Sequence, residues 1–307
     1  TISSSFGALS DLTYNLHRFL LSRHLDVDIP DIDSNSAKTI VSDSNNNGVY
    51  RPPADTTNDI ADAFGVAAKL VHRENPTVLM LVQKGEKNSS DQRRLEWALW
   101  QRHKVRMIRR TMLDVYEQAE LDENSKDLYI ENKKYRISVV YYRCGYTPKD
   151  YGEDGNEWKA RELMEFSTAI KCPSIAYHLI GSKVFQTIFC KKEEVLMRYL
   201  TEKEAEALLS VFVKLYSLDV EDGGSAQEIE RVLNDAKKNY RNYVLKPQRE
   251  GGSNNYYNED VAKMIEKLSR KQLSAYILME RIYPEEVETI QVRNYEGVRM
   301  KGIFEMG

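Results

Sequence analysis

Val244-Leu245-Lys246-Pro247-Gln248-Arg249-Glu250-Gly251-Gly252-Ser253-Asn254-Asn255 is the stretch on which the reading of this chain turns. It leaves a short apolar strand, Tyr243-Val244-Leu245. It ends just before Asn258, which is placed to cap a helix carrying Val261, Met264, Ile265 and Leu268 on one face. A lysine stands at the loop's entry and two glycines stand beside a carboxylate. Glycines let backbone N–H groups approach an anion closely. Lys246 would place a cation on a phosphate, and Glu250 could hold a magnesium ion bridging phosphate oxygens. The loop is neither a Walker A motif nor GxGxxG. An ordinary glycine–asparagine turn between strand and helix accounts for the same residues.

Outward from this loop, helix and strand patterns alternate, which predicts an α/β fold. Thr77-Val78-Leu79-Met80-Leu81-Val82 is a continuous apolar run, the pattern of a strand buried on both faces of a parallel sheet. Ile60, Phe64, Ala68 and Val71 mark a helix before it. A helix through Leu95, Ala98 and Leu99 follows, then a strand near Val105 to Ile108, giving a crossover unit. Tyr135 to Tyr142 and Leu128-Tyr129-Ile130 flank a turn and predict a hairpin. Helical patterns cover 157 to 170 and 202 to 216, Asp222-Gly223-Gly224-Ser225 reads as a surface turn, and Ala275 to Met279 as a strand. Near the start, Leu12, Leu16, Phe19 and Leu20 predict an amphipathic helix, and the polar residues 32 to 56 a long loop.

The 307 residues are 41% hydrophobic, enough for one large core or two smaller ones. With 44 basic against 47 acidic residues the net charge is -3, so no strong electrostatic drive towards nucleic acid or an anionic membrane is expected. No apolar run approaches the length of a membrane-spanning helix, and no signal peptide is visible. Cys144, Cys172 and Cys190 have no CxxC spacing, and the five histidines have no metal-binding spacing. Neither a disulfide scaffold nor structural zinc is expected, and a reduced interior fits the cysteines better.

The longer word resembles a known family. Val244 to Asn255, Tyr257, and Tyr276-Ile277-Leu278-Met279-Glu280-Arg281-Ile282 are similar to the glycine-rich loop and adenine hinge of eukaryotic glutathione synthetase, an ATP-grasp ligase. Lys171-Cys172-Pro173-Ser174-Ile175-Ala176 and Leu179-Ile180-Gly181-Ser182-Lys183 resemble the segment bearing that family's other nucleotide lysine. Such blocks follow the family's order along nearly the whole chain. The resemblance implies an ATP-grasp fold with a parallel-sheet substrate domain and a glycine-rich lid. Residues 1–30 would belong to the core, 57–180 would form an α/β substrate domain, and 181–307 a nucleotide-binding region with its lid at 246–257.

For ATP the resemblance implies contacts from Lys183, Lys246, Pro247, Gln248, Arg249, Glu250, Gly251, Gly252, Ser253, Asn254, Asn255, Tyr257, Met279, Glu280, Arg281, Ile282 and Glu305, with Glu250 also a magnesium ligand. For γ-glutamylcysteine it implies Ile2, Ser3, Ser4 and Ser5, then Glu86, Lys87, Asn88 and Gln92, then Arg143, Cys144, Gly145, Tyr146 and Lys149. Arg143, Lys183 and Lys246 would neutralise charge during transfer. Read without the family, each of these is an unremarkable surface position. The implied reaction joins γ-glutamylcysteine to glycine at the expense of ATP, through an acyl phosphate, in a homodimer with Mg2+, in the cytoplasm.

Lys149 stands where the family has arginine, Cys144 where it has aspartate, and Ser253 where it has the third lid glycine. The family's Glu-x-Asn metal ligands and its glycine-binding loop match positions beyond both ends of the chain, so a fragment is expected. Three outcomes remain open: a glutathione synthetase; a relative with another dipeptide or acceptor amine, or a secreted effector with an upstream signal peptide; and a non-catalytic binder of nucleotide or dipeptide.

Overall fold

The computed structural model describes residues 56–191, 193–222, 225–248, 254–293 and 296–303. The expectations for the helix at 12–20, the loop before residue 56, Ile2, Ser3, Ser4 and Ser5, the lid residues Arg249 to Ser253, and Glu305 fall outside these residues, as do Gly223 and Gly224 of the turn at 222–225. The chain divides into two compact units, one ending at Ser174 and one over Ile175–Val287. The residues of a C-terminal hairpin are divided between them.

The first unit is a mixed sheet between two helical layers. In chain order come α1 (Thr56–Val71), β1 (Thr77–Leu81), α2 (Ser89–His103), β2 (Arg106–Arg110), α3 (Met112–Gln118), β3 (Ala119–Leu121), β4 (Leu128–Ile130), β5 (Tyr135–Tyr142), α4 (Asn156–Phe166) and β6 (Ile170–Cys172). The strand order is β2-β1-β5-β4-β3, with β6 also beside β5. β1 lies parallel to both β2 and β5, and β5 parallel to β6, whereas β3, β4 and β5 run antiparallel in turn. The sheet is therefore parallel at its centre and antiparallel at one edge, rather than parallel throughout.

Every residue of β1 is buried because the strand serves two cores. Leu79 and Leu81 meet Ile108, Val140, Tyr142 and Met164 on one face. Val78 and Met80 meet Phe64, Leu95, Leu99 and Tyr141 on the other. The helix expected over 157 to 170 stops at Phe166. Ser167 adopts an extended conformation and turns its hydroxyl back on Met164 O, which frees Ile170–Cys172 to pair with β5.

The second unit holds α5 (Ile175–Ile180), α6 (Lys183–Phe189), α7 (Glu202–Leu209), β7 (Leu215–Ser217), α8 (Ala226–Lys238), β8 (Tyr243–Pro247), β9 (Tyr256–Tyr257), α9 (Glu259–Lys267), α10 (Arg270–Leu273) and β10 (Tyr276–Glu280). Its antiparallel sheet has the order β7-β10-β8-β9. The helical pattern expected over 202 to 216 ends at Leu209, because Leu215–Ser217 pairs with Ile277–Met279. Helix α8, which the sequence reading does not single out, is started by Ser225, whose hydroxyl accepts from Glu228 N–H. It packs Ile229, Val232, Leu233 and Ala236 against Leu245, Val261 and Leu278. Asn258 does stand at the start of α9, but at φ +53° and without capping it through its side chain. Its Oδ1 accepts from Arg281 Nη1 instead. β11 (Val287–Arg293) and β12 (Glu296–Gly302) form a separate two-stranded sheet.

Candidate functional site

In the first unit, Glu86, Gln92, Arg143, Cys144, Gly145 and Tyr146 gather where β1 and β5 end, the kind of edge at which open α/β sheets bind ligands. Arg143 follows β5 directly, and its N–H donates to Leu81 O at 2.9 Å, prolonging the pairing with β1. Arg143 is 3% exposed, and its guanidinium lies 2.6 Å, Nη1 to Oδ2, from Asp91 in the first turn of α2. Beside Asp91, Gln92 is fully buried. Neither its Oε1 nor its Nε2 has a hydrogen-bond partner, and the same holds for Nε and Nη2 of Arg143. Orphaned polar atoms at this depth each cost roughly 1–3 kcal/mol, so native proteins keep few of them.

The loop after Arg143 is tightly braced. Gly145 has φ +88°, and a Cβ there would stand 2.6 Å from Met112 Cε and 3.1 Å from Tyr151 Oη, so glycine is required. Asp150 accepts from the N–H groups of Gly145 and Thr147 and from Gln83 Nε2. Tyr151 donates to Gly145 O and stacks on Trp158 at 3.7 Å. Arg161 reaches Tyr151 and Glu165 and lies 4.0 Å over the Tyr142 ring. Burial pushes the Tyr146 phenol up, and the carboxylates Asp150 and Glu86 push the same way against Arg143, so these groups share one neighbourhood.

Burial, with Asp150 adding to it, pushes the Cys144 thiol up to about 12, leaving it protonated and no nucleophile. Glu86 accepts from Asn88 N–H, whereas Lys87 and Lys149 are exposed at the loop tips. The structure thus brings Glu86, Gln92, Arg143, Cys144, Gly145 and Tyr146 to one end of the sheet and leaves the two lysines at its rim.

In the second unit, Lys246 lies opposite Ile277 across the β8–β10 pair. Its Nζ is 3.3 Å from Met279 Sδ, so the lysine expected at phosphate sits beside a residue expected at adenine. Burial lowers the Lys246 pKa. Gln248 Oε1 accepts from Val184 N–H, tying the strand end to the first turn of α6, where Lys183 stands half-buried. Asn255 Nδ2 donates to Tyr257 Oη, while its buried Oδ1 is unpaired. Pro247 is buried and Asn254 half-buried. Glu280 accepts from Tyr216, Arg281 holds Asn258, and Ile282 is exposed.

Residues 1–307 match the family described as "Eukaryotic glutathione synthase, ATP binding domain". The chain belongs to the eukaryotic glutathione synthase family. It is 39% identical to a glutathione synthetase of Dictyostelium discoideum, with all of this chain and 61% of that protein aligned. It is 38% identical to a chloroplastic glutathione synthetase of Solanum lycopersicum over all of this chain and 52% of that protein. Against the glutathione synthetase of Homo sapiens the figures are 35% identity over 95% and 56%. The chain thus spans only about half to three-fifths of these relatives. In fold it is similar to a glutathione synthetase like-effector of Globodera pallida in its apoform, with a TM-score of 0.55, 20% identity, and 79% of this chain and 49% of that one covered. The fold of the chain is accordingly an α/β fold similar to that one.

Within this glutathione synthase-type frame, the sequence reading passes over Asp91, Asp150 and Arg161. Asp91 immediately precedes Gln92 in the chain, and an acidic residue in a helix's first turn is explained by the helix dipole alone. For magnesium, no group of three or more His, Cys, Asp or Glu side chains that could hold a metal occurs among the described residues. Glu250 lies outside them. Among the described residues no helix is long and apolar enough to cross a membrane.

Proposed function

We propose that the protein carrying this chain is an ATP-dependent carboxylate–amine ligase that joins γ-glutamylcysteine to glycine. The observation that carries the reading is the buried, unpaired edge of Arg143 beside the unpaired amide of Gln92, in a member of the glutathione synthase family. A guanidinium edge suits a carboxylate, and an amide offers both a donor and an acceptor to a zwitterionic dipeptide. In this reading residues 57–180 hold the dipeptide, and 181–307 hold the nucleotide with Lys183 and Lys246 at its phosphates. Met279 to Ile282 take adenine, and the loop through Glu250 and Ser253 acts as the lid. Glu250 is the residue of this chain that would hold Mg2+.

The dipeptide's C-terminal carboxylate attacks the γ-phosphate of ATP, releasing ADP and forming an acyl phosphate. Glycine's amine then attacks the acyl carbon, phosphate leaves, and the amine's proton is lost to solvent. Arg143 and the two lysines align and neutralise the anionic groups, and exclusion of water spares the acyl phosphate. Two copies per functional unit and a cytoplasmic location accompany this reading, as the family resemblance implies.

Phosphate release by the full-length protein, with γ-glutamylcysteine present and glycine omitted or varied, tests it. Release that needs the dipeptide and rises with glycine is expected. Bound ATP with release no higher than background would sink the ligase reading. Cys144 favours a second reading, an altered acceptor or dipeptide. Its neutral, buried thiol stands between two residues of the substrate loop, where a carboxylate would add charge. Ranking alternative acceptor amines against glycine in the same assay decides it.

A further inference from the structure

Asp91 has no part in the substrate set above, yet it is the carboxylate paired with Arg143, which the Tyr141 hydroxyl also approaches. Its side chain is 4% exposed, that of Arg143 is 2%, and the contact is made by one nitrogen only, Nη1, at 2.6 Å from Oδ2. An arginine takes a carboxylate end-on through its two terminal nitrogens, or side-on through Nε and the adjacent terminal nitrogen. With Nη1 engaged, the end-on edge is closed. The side-on edge, Nε with Nη2, is buried and has no partner.

Both ends of the contact sit on rigid elements. Arg143 continues β5 through its bond to Leu81 O, and Asp91 lies in the first turn of α2, whose Leu95, Ala98 and Leu99 are buried in the core. The helix N-terminus favours a carboxylate at that place.

We propose that Asp91 is a positioning residue: it holds Nη1 of Arg143 so that the guanidinium presents its Nε–Nη2 edge to a substrate carboxylate. The proposal rests on the dipeptide-binding reading of Arg143. It differs from a purely structural role in acting through one side chain, so its effect disappears when that side chain is changed.

The test uses the full-length protein and Asp91→Asn, which keeps the shape and removes the charge. KM for γ-glutamylcysteine is expected to rise roughly 30-fold, in line with the loss of one partner from a buried charge pair. The KM for ATP should stay unchanged. In an Arg143→Lys background the same substitution should add nothing further. Equal increments in both backgrounds would overturn the proposal.

Nitrogen NMR of the Arg143 guanidinium provides an arm that needs no substrate. Hindered rotation is expected in the wild type and free rotation in Asp91→Asn. An Arg143 that rotates freely in the wild type, or is equally restrained in the variant, also overturns the proposal. The wild-type spectrum decides even if the variant does not fold. A wild type that does not use γ-glutamylcysteine defeats the ligase reading and leaves the NMR result to judge Asp91.

Discussion

Two buried polar clusters occupy the first unit, and they are finished to different degrees. In one, Asp127 accepts from the His72 Nε2–H at 3.0 Å, and from Ser125, Arg136 and Thr168, while His72 Nδ1 meets Ser138 at 2.8 Å. His72, Asp127 and Ser138 are all buried, and no side-chain atom of the three is left without a partner. The serine, histidine and aspartate stand in the order of a hydrolase triad, but the serine has no exposure to a substrate. In the other cluster, Asp91, Gln92 and Arg143 are as deeply buried, and Gln92 and Arg143 leave four nitrogen and oxygen atoms unpaired. A closed network fixes a fold, whereas an open one holds hydrogen-bonding capacity in reserve for a ligand. Burial alone does not separate structural from functional polar residues. Satisfaction does.

The largest effect should come from breaking the charge pair of the open cluster. Arg143→Met leaves Asp91 buried without its counter-ion and is expected to cost about 3–5 kcal/mol of stability, with γ-glutamylcysteine binding lost. Denaturant unfolding and dipeptide titration measure the two losses. Retained binding would remove Arg143 from the dipeptide site.

Asp127→Asn should cost less, about 2 kcal/mol at neutral pH, and should leave dipeptide binding intact. Burial acts most strongly on Asp127 and pushes its pKa up. The donors His72, Ser125, Arg136 and Thr168 together outweigh it and hold the group at about 2, below the ordinary 3.8. A carboxylate lowered in the folded state stabilises above its unfolded pKa, and that stability is lost as pH falls from about 3.8 through about 2. The wild type should therefore lose stability across that window more steeply than Asp127→Asn. Parallel acid-unfolding curves would show that the network is not the stabilising element it looks to be.

The sequence made part of this legible. The apolar run at 77–82, the 128–142 hairpin and the strand at 243–247 were readable because their signals are local. The helix over 226–238 was equally local, with Ser225 as cap and Ile229, Val232 and Leu233 at helical spacing. The turn-forming residues 222–225 drew the reading instead. The strands at 170–172 and 215–217 were not readable: each exists only because a distant strand pairs with it, and helical periodicity continues into both. The site residues were named through likeness to a family rather than through chemistry of their own. Asp91 shows why. Its first-turn position is unremarkable until Arg143, 52 residues further on, is seen beside it.

The smallest effect has the opposite sign, and it separates the two clusters most sharply. If the unpaired amide of Gln92 is kept for a ligand, it is a cost to the free protein, since a buried donor and acceptor have both left water and found nothing. Gln92→Met keeps nearly the same length and removes both groups. It should raise the stability of the ligand-free protein by about 1 kcal/mol, while γ-glutamylcysteine binding weakens. A comparable exchange in the closed cluster, His72→Met, has no such reserve to release and should only destabilise. Thermal unfolding of the two variants, each with and without dipeptide, reads all four quantities. A Gln92→Met protein that is less stable than wild type and still binds the dipeptide would mean that the amide supports the fold, and the contrast between the clusters would fail at the residue that defines it.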